Sequence, residues 1–402
     1  MSKSSVALRN LRGFVILLVV AFHSVLAYLG SQPHTSPSFD SPPYRWIAFP
    51  ILDSERWFGF DLFCAFHYVY LMHFMFFLSG LFVWSSLQRK GMQKFLSDRF
   101  LRLGLPFLIG VYLLMPVAHY PVYRVSAVDP SWTAFWSHWI ALPFWPSGPL
   151  WFLWELLALN IIAAGLFSFA PHYGEFLGRL SANAGDRPGR YFAGLVAISG
   201  LAYVPLASIF RPWEWVQVGP FAMQPSFALP YAIYFFAGLG VGVFGVERGL
   251  LASTARLARR WPLWVAGALG AFVLWTLPTA LIVQGWAPSV PGLEVLADIG
   301  LVLSCATTSL ALAAVFVRFA TEPWPRFSSF SDNAYGIYLL HYVFVIWLQY
   351  LLLGVPMFPI AKAAIVFTGT FLLSWGGAAA VCRVPFGARV IGVDRRILVR
   401  AR

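Results

Sequence analysis

Residues 13–30 read GFVILLVVAFHSVLAYLG, a stretch that contains no Asp, Glu, Lys or Arg. As a helix this stretch would rise about 27 Å, close to the ~30 Å thickness of a bilayer's hydrocarbon core. Comparable apolar segments follow at 60–84, 101–118, 150–170, 191–210, 227–246, 262–284, 299–319, 335–353 and 361–382. Because lipid offers no partner for backbone N–H and C=O groups, such segments are expected to be helical. The sequence therefore predicts an all-α, polytopic transmembrane bundle of about ten helices.

The composition excludes an ordinary soluble domain. The chain is 59% hydrophobic and 11% charged, whereas soluble domains carry about 25% charged residues. The net charge of +12 raises the alternative of a nucleic-acid partner. The basic residues lie in short connections beside apolar segments, so the lipid bilayer is the predicted partner and nucleic acid is not. The three cysteines show no paired spacing, so neither a disulfide framework nor a metal site is expected.

Charge also predicts the orientation of the bundle. Most of the 28 Lys and Arg residues occur at the N-terminus, in the even-numbered connections and in the C-terminal tail. The positive-inside rule assigns that side to the cytoplasm, and ten spans would place both termini there. We expect one transmembrane domain over residues 1–382 and a basic cytoplasmic tail over residues 383–402.

Arg12 is predicted to open the first helix, and His23 is predicted to lie near its middle on the same face. Arg12 and His23 are eleven residues apart, which in a helix is three turns plus about 20° and about 16 Å along the axis. A histidine inside the membrane can accept a proton from a hydroxyl group. The alternative at this point is a polar contact between helices.

Arg99 and Arg102 form a second candidate site in a predicted cytoplasmic connection. They are three residues apart and would be neighbours on a helix. Guanidinium groups bind phosphate in a bidentate manner, so the pair can hold a nucleotide-bearing donor such as coenzyme A. The alternative is that these charges set the topology and contact lipid headgroups.

Three further residues are predicted inside spans. Glu155 lies at a depth comparable with that of His23, where it could orient the imidazole or form a structural hydrogen bond. Tyr338 and His341 are neighbours at a spacing of three residues and could line a donor channel or pack between helices.

On the side of the membrane opposite the basic connections, the connections 31–59 and 119–149 are rich in Pro, Trp, Tyr and Phe. They predict either a shallow binding cap for sugar rings or an interfacial aromatic belt.

Ordered motifs along most of the chain resemble the membrane-integral acyltransferase 3 family. The first is Arg12 with ten residues before His23. The others are Phe76-Phe77-Leu78-Ser79-Gly80, Arg99-Phe100-Leu101-Arg102 before Pro106, Leu150-Trp151-Phe152-Leu153, Tyr234-Phe235-Phe236-Ala237-Gly238 and Tyr335-Gly336-Ile337-Tyr338-Leu339-Leu340-His341. Each is weak alone, and their joint order makes the resemblance specific.

The resemblance implies transfer of an acetyl or succinyl group from cytoplasmic acyl-CoA to a hydroxyl of an extracytoplasmic carbohydrate, without a metal. His23 is similar to the family's essential histidine, Arg12 to its paired arginine, and Arg99 with Arg102 to its RxxR motif. The absence of an appended periplasmic domain is similar to the glucan or exopolysaccharide branch. A multi-pass protein of a bacterial inner membrane is expected.

Two other classes fit the same composition. A secondary transporter or flippase for a polar or lipid-linked substrate would also have about ten helices and few internal charges. No internal repeat is evident and the basic motifs lie on one face, which favours the enzyme. A scaffold would leave Arg12 and His23 without a shared purpose. The oligomeric state stays open, with a homo-oligomer among the alternatives.

Overall fold

The computed structural model describes residues 2–32, 38–170, 172–285, 290–323 and 325–391, with only the backbone for 325–328. Ten helical segments in these ranges are long and apolar enough to cross a membrane. This confirms the predicted all-α bundle of about ten helices. The cytoplasmic location of both ends stays a prediction. So does the domain division after residue 382, and residues 392–402 of the predicted tail lie outside the described ranges.

The described elements are separated by connections of very different lengths. The helices are α1 (Lys3–Val25), α2 (Phe58–Gly80), α3 (Val83–Lys90), α4 (Met92–Arg99), α5 (Leu105–Ile109), α6 (Met115–Ser126), α7 (Trp132–Ala141), α8 (Trp151–Phe169), α9 (Tyr173–Ser181), α10 (Pro188–Ile209), α11 (Pro225–Val243), α12 (Arg256–Arg259), α13 (Trp261–Val283), α14 (Leu293–Phe319), α15 (Pro325–Leu351), α16 (Pro359–Arg383) and α17 (Pro385–Ile391). In the described part of the chain, β1 (Val216–Val218) and β2 (Phe221–Met223) form one antiparallel hairpin.

Helix α1 begins ten residues before the predicted span. Its N-cap is Ser2, whose hydroxyl accepts a hydrogen bond from the Ser5 amide at 3.2 Å, a common way to satisfy a helix end. Arg12 therefore lies well inside the helix, and the expectation that it opens the helix was wrong. The early start has a partner, because the Asn10 side chain donates to the carbonyl oxygens of Ala320 at 2.9 Å and Glu322 at 3.1 Å.

The third span, between Met92 and Ser126, is not a regular α-helix. It contains a π-helical turn at Phe100–Gly104, immediately before Pro106. Proline has no N–H to donate to the carbonyl four residues earlier, which here belongs to Arg102. That carbonyl instead accepts a hydrogen bond from the Tyr335 hydroxyl of α15.

The same arrangement occurs at the other end of the third span. Pro121 lies inside α6 and has no N–H for the carbonyl of Val117. The Trp347 indole N–H of α15 donates to that oxygen at 2.9 Å. Prolines in the third span thus expose two carbonyls that fix the position of α15 along it.

Glycines allow the backbones of α2 and α11 to touch. A Cβ atom on Gly80 would lie 2.0 Å from the Phe235 carbonyl oxygen, and one on Gly238 would lie 2.0 Å from the Phe77 carbonyl oxygen. Small residues permit such close approach between membrane helices. These glycines end two of the motifs quoted above, so those motifs have a packing role.

A buried ion pair joins α16 to the connection between α1 and α2. Lys362 Nζ lies 2.7 and 2.9 Å from the two carboxylate oxygens of Asp53, and neither side chain has any solvent exposure. The Asp53 amide also donates to the Ala27 carbonyl at 3.0 Å. The ion pair therefore ties this connection to α16, and the amide hydrogen bond ties Asp53 to the turn that follows α1.

Candidate functional site

Two histidines from distant parts of the chain meet inside the bundle. His23 of α1 and His341 of α15 have ring centroids 5.0 Å apart, and His23 Nδ1 lies 3.4 Å from His341 Nε2. His341 has no solvent exposure, and His23 is partly buried. The Tyr342 ring contacts His23 edge-on at 5.6 Å. His23, which was predicted to be catalytic, is thus paired with His341, which was predicted to bind the donor.

Backbone carbonyls assign the hydrogens of both rings. His23 Nδ1 lies 2.8 Å from the Val19 carbonyl oxygen, and His341 Nδ1 lies 2.6 Å from that of Tyr338. Because a carbonyl oxygen only accepts, the assigned tautomer of each neutral ring carries its hydrogen on Nδ1. His23 Nε2 then has a free lone pair, while His341 Nε2 presents its lone pair to the Nδ1–H of His23.

Side chains on either side of His341 hold helix α15 against the turn before α8 and against α1. The Tyr338 hydroxyl donates to the Pro149 carbonyl at 2.5 Å. Gln349 Nε2 donates to the carbonyls of His23 at 2.9 Å and Ser24 at 3.3 Å. The predicted adjacency of Tyr338 and His341 is present, with ring centroids 5.8 Å apart. The role of Tyr338 and His341 in donor binding stays a prediction. The Tyr338 hydroxyl already donates to the Pro149 carbonyl.

The three predicted donor-binding arginines come from neighbouring elements. The charges of Arg12 and Arg102 act electrostatically on Arg99, so the three guanidinium groups form one cluster. Arg12 Cζ lies 4.9 Å from the centre of the Phe82 ring, and Arg99 Cζ lies 4.9 Å from that of Phe95. Such cation–π contacts orient the arginines without using their N–H groups. Arg12 and Arg102 are exposed, which leaves donors available to an anion.

Glu155 is buried on α8 but makes no hydrogen bond to His23 among the described residues. Its Oε1 atom is buried without a hydrogen-bond partner in the described chain. It lies near Tyr231 of α11, whose ring contacts the Phe76 ring at 4.8 Å. The predicted catalytic role of Glu155 stays a prediction, and the hydrogen-bonding partner of His23 is on α15.

Tyr342 and His119 lie beside the histidine pair and were not predicted from the sequence. Tyr342 lies between His23 and His119, with ring centroids 5.6 and 5.8 Å away. His119 has no solvent exposure, and its Nε2 atom has no hydrogen-bond partner in the described chain. Gly148 allows this packing, because a Cβ atom there would lie 2.9 Å from the Tyr342 ring. The position of Tyr342, directly after His341, was the only local signal.

The fold and the site define a multi-pass membrane protein with a basic cluster and a histidine pair inside its helical bundle. Residues 5–379 match the model of the acyltransferase 3 family, which is described as an acyltransferase domain. The chain therefore belongs to this family, and it is a membrane acyltransferase. No curated protein and no solved structure matches the chain.

Proposed function

We propose that this acyltransferase moves an acetyl or succinyl group from acyl-CoA to a hydroxyl of a carbohydrate, with glucan as the proposed acceptor. The donor binds at the cytoplasmic face of a bacterial inner membrane, and the acceptor arrives from the opposite side. The observation that carries the proposal is the His23–His341 contact of 3.4 Å. It supports a basic nitrogen inside a bundle whose family transfers acyl groups.

The arginine cluster supports an anionic donor. Arg12, Arg99 and Arg102 lie together, and guanidinium groups form charge-assisted hydrogen bonds with phosphate oxygens. Coenzyme A carries several phosphates and a long, flexible pantetheine arm. Arg12 and His23 are on the uninterrupted helix α1, about 16 Å apart along its axis. The arm would extend along α1 and bring the thioester towards His23.

The assigned tautomer supports general-base chemistry. His23 Nε2 takes the proton of the acceptor hydroxyl while the oxygen attacks the thioester carbonyl. The new C–O bond forms, the C–S bond breaks, and the departing CoA sulfur takes the proton back from the imidazolium. His341 Nε2 accepts from His23 Nδ1–H, and this interaction strengthens when His23 is charged. A route in which His23 Nε2 first carries the acyl group uses the same atoms.

Removing the arginine side chains is expected to weaken donor binding. Because a hydrogen bond to a charged group contributes about 1.5–3 kcal/mol, Arg99→Ala or Arg102→Ala should raise the KM for acyl-CoA at least about tenfold. The kcat at saturating donor should change little. The measurement is release of CoA thiol by purified protein in liposomes, with acetyl-CoA or succinyl-CoA and a glucan acceptor.

Arg179→Ala is the matched control, because Arg179 is exposed in α9 on the face predicted to be cytoplasmic. It should leave the KM for the donor unchanged. Equal KM values for the wild type and both Arg99→Ala and Arg102→Ala would contradict donor binding by this cluster. Substrate flux without consumption of acyl-CoA would instead favour the transporter alternative.

A further inference from the structure

A cavity of about 290 Å³ opens between the α1–α2 connection and α7, on the face opposite the arginine cluster. Its lining residues are Asp40, Tyr44, His138, Ala141 and Leu142. Small-ligand pockets occupy about 300–1,000 Å³, so this volume suits one unit of a chain molecule. The cavity combines a carboxylate, an imidazole and an aromatic ring, and none of these residues belongs to the histidine site.

Asp40 and His138 form a polar pair at the rim of the cavity. Asp40 Oδ1 lies 2.8 Å from His138 Nδ1, and the side chains are 53% and 44% exposed. This exposure leaves the second carboxylate oxygen and His138 Nε2 accessible to a ligand. A carboxylate accepts hydrogen bonds from hydroxyl groups, and the imidazole can donate or accept. Neighbouring hydroxyls on a sugar ring match this pair.

A row of packed rings leads from Tyr44 of the cavity to the histidine site. The Tyr44 ring lies 6.5 Å from that of Trp46, which lies 5.4 Å from the His119 ring. His119 contacts Tyr342, and Tyr342 contacts His23, at 5.8 and 5.6 Å. Aromatic rings provide flat, partly polar surfaces. The cavity is thus connected through four successive ring contacts to the proposed base.

We propose that this cavity is an acceptor subsite that binds one sugar unit of the carbohydrate through Asp40, His138 and Tyr44. The inference rests on the proposed function and assigns residues to its acceptor. A sugar unit bound here would place the rest of the carbohydrate on the side of the bundle from which the acceptor approaches His23. Asp40 and His138 set affinity for the acceptor and take no part in the proton transfer.

The test measures, by ligand-observed NMR, the binding of linear glucose tetrasaccharides of several linkages to the full-length protein without acyl-CoA. At least one should bind saturably to the wild type, and Asp40→Asn should raise its Kd about tenfold, the effect of losing a charged hydrogen-bond partner. His138→Gln should weaken binding similarly and covers the case in which Asp40→Asn does not fold. Glu214→Gln, an exposed acid outside the cavity, should bind like the wild type.

The two proposals fail in different ways. Sugar binding that depends on Asp40, without acyl transfer in any assay, would retain the subsite and overturn the proposed function. Acyl transfer to glucan with the same acceptor KM in Asp40→Asn, His138→Gln and the wild type would retain the function and overturn the subsite. If no tetrasaccharide in the panel binds the wild type, the subsite is also overturned.

Discussion

Replacement of His23 by alanine is expected to lower acyl transfer about a thousandfold while donor binding persists. A positioned general base contributes about 10²–10⁴-fold to rate, and His23 Nε2 is the nitrogen of the histidine pair left free to accept a proton. The arginine cluster lies elsewhere, so the Kd for acyl-CoA should remain within about twofold of the wild-type value. Acceptor-dependent release of CoA thiol and calorimetric binding of the donor give the two readings.

His172→Ala is the matched control, because His172 is exposed just before α9 and lies outside the proposed site. It should transfer acyl groups at the wild-type rate. A folded His23→Ala protein that retains more than about a tenth of the wild-type kcat would show that another group accepts the proton. Glu155 would then be the next residue to replace.

Loss of one partner of the Lys362–Asp53 pair is expected to destabilise the fold strongly. In Lys362→Met, the unexposed Asp53 carboxylate loses its ammonium partner and keeps the hydrogen bond from the Glu55 amide at 2.9 Å. Removing one partner of a buried ion pair typically lowers the free energy of unfolding by about 3–5 kcal/mol. The measurement is the apparent melting temperature of purified protein in detergent, which should fall by several degrees.

The double variant Lys362→Met with Asp53→Leu distinguishes a buried charge from a lost packing contact. Replacing both partners by apolar residues of similar volume is often neutral or stabilising, so the double variant should recover most of the lost stability. A double variant that is less stable than Lys362→Met alone would contradict the argument. The surface pair of exposed Lys94 and half-buried Asp98, at 3.1 Å, should contribute little, and Lys94→Met serves as the control.

The number of spans could be predicted because apolar length is a local property. The predicted first and last residues of each span were less accurate, because polar residues at the ends of the helices were left out of the apolar segments. Asn10 shows the reason: it is buried in α1 because it bonds to the carbonyls after α14, and only the folded chain supplies that partner. The interruption of the third span at Phe100–Gly104 has a local signal in Pro106, but its use by Tyr335 depends on the position of α15.

The contact between His23 and His341 could not be predicted from spacing. The two residues are 318 positions apart, and periodicity along one helix does not show which helix lies opposite. Depth in the membrane suggested Glu155 as the partner of His23, yet depth gives no lateral position. The arginine cluster was easier to predict, because Arg99 and Arg102 are one turn apart and Arg12 shares their predicted side of the membrane. The Lys362–Asp53 pair, separated by 309 residues, left no local signal.

The proposed active site takes its donor from one face of the membrane and its acceptor from the other. The direct measurement uses liposomes with protein in a single, protease-verified orientation, labelled acyl-CoA on one side and glucan on the other. We predict labelled glucan only when acyl-CoA is on the side of the arginine cluster and glucan is on the opposite side, and about a thousandfold slower labelling with His23→Ala. Equal labelling when acyl-CoA and glucan are on the same side of the membrane would contradict the account. So would labelling with His23→Ala at more than about a tenth of the wild-type rate.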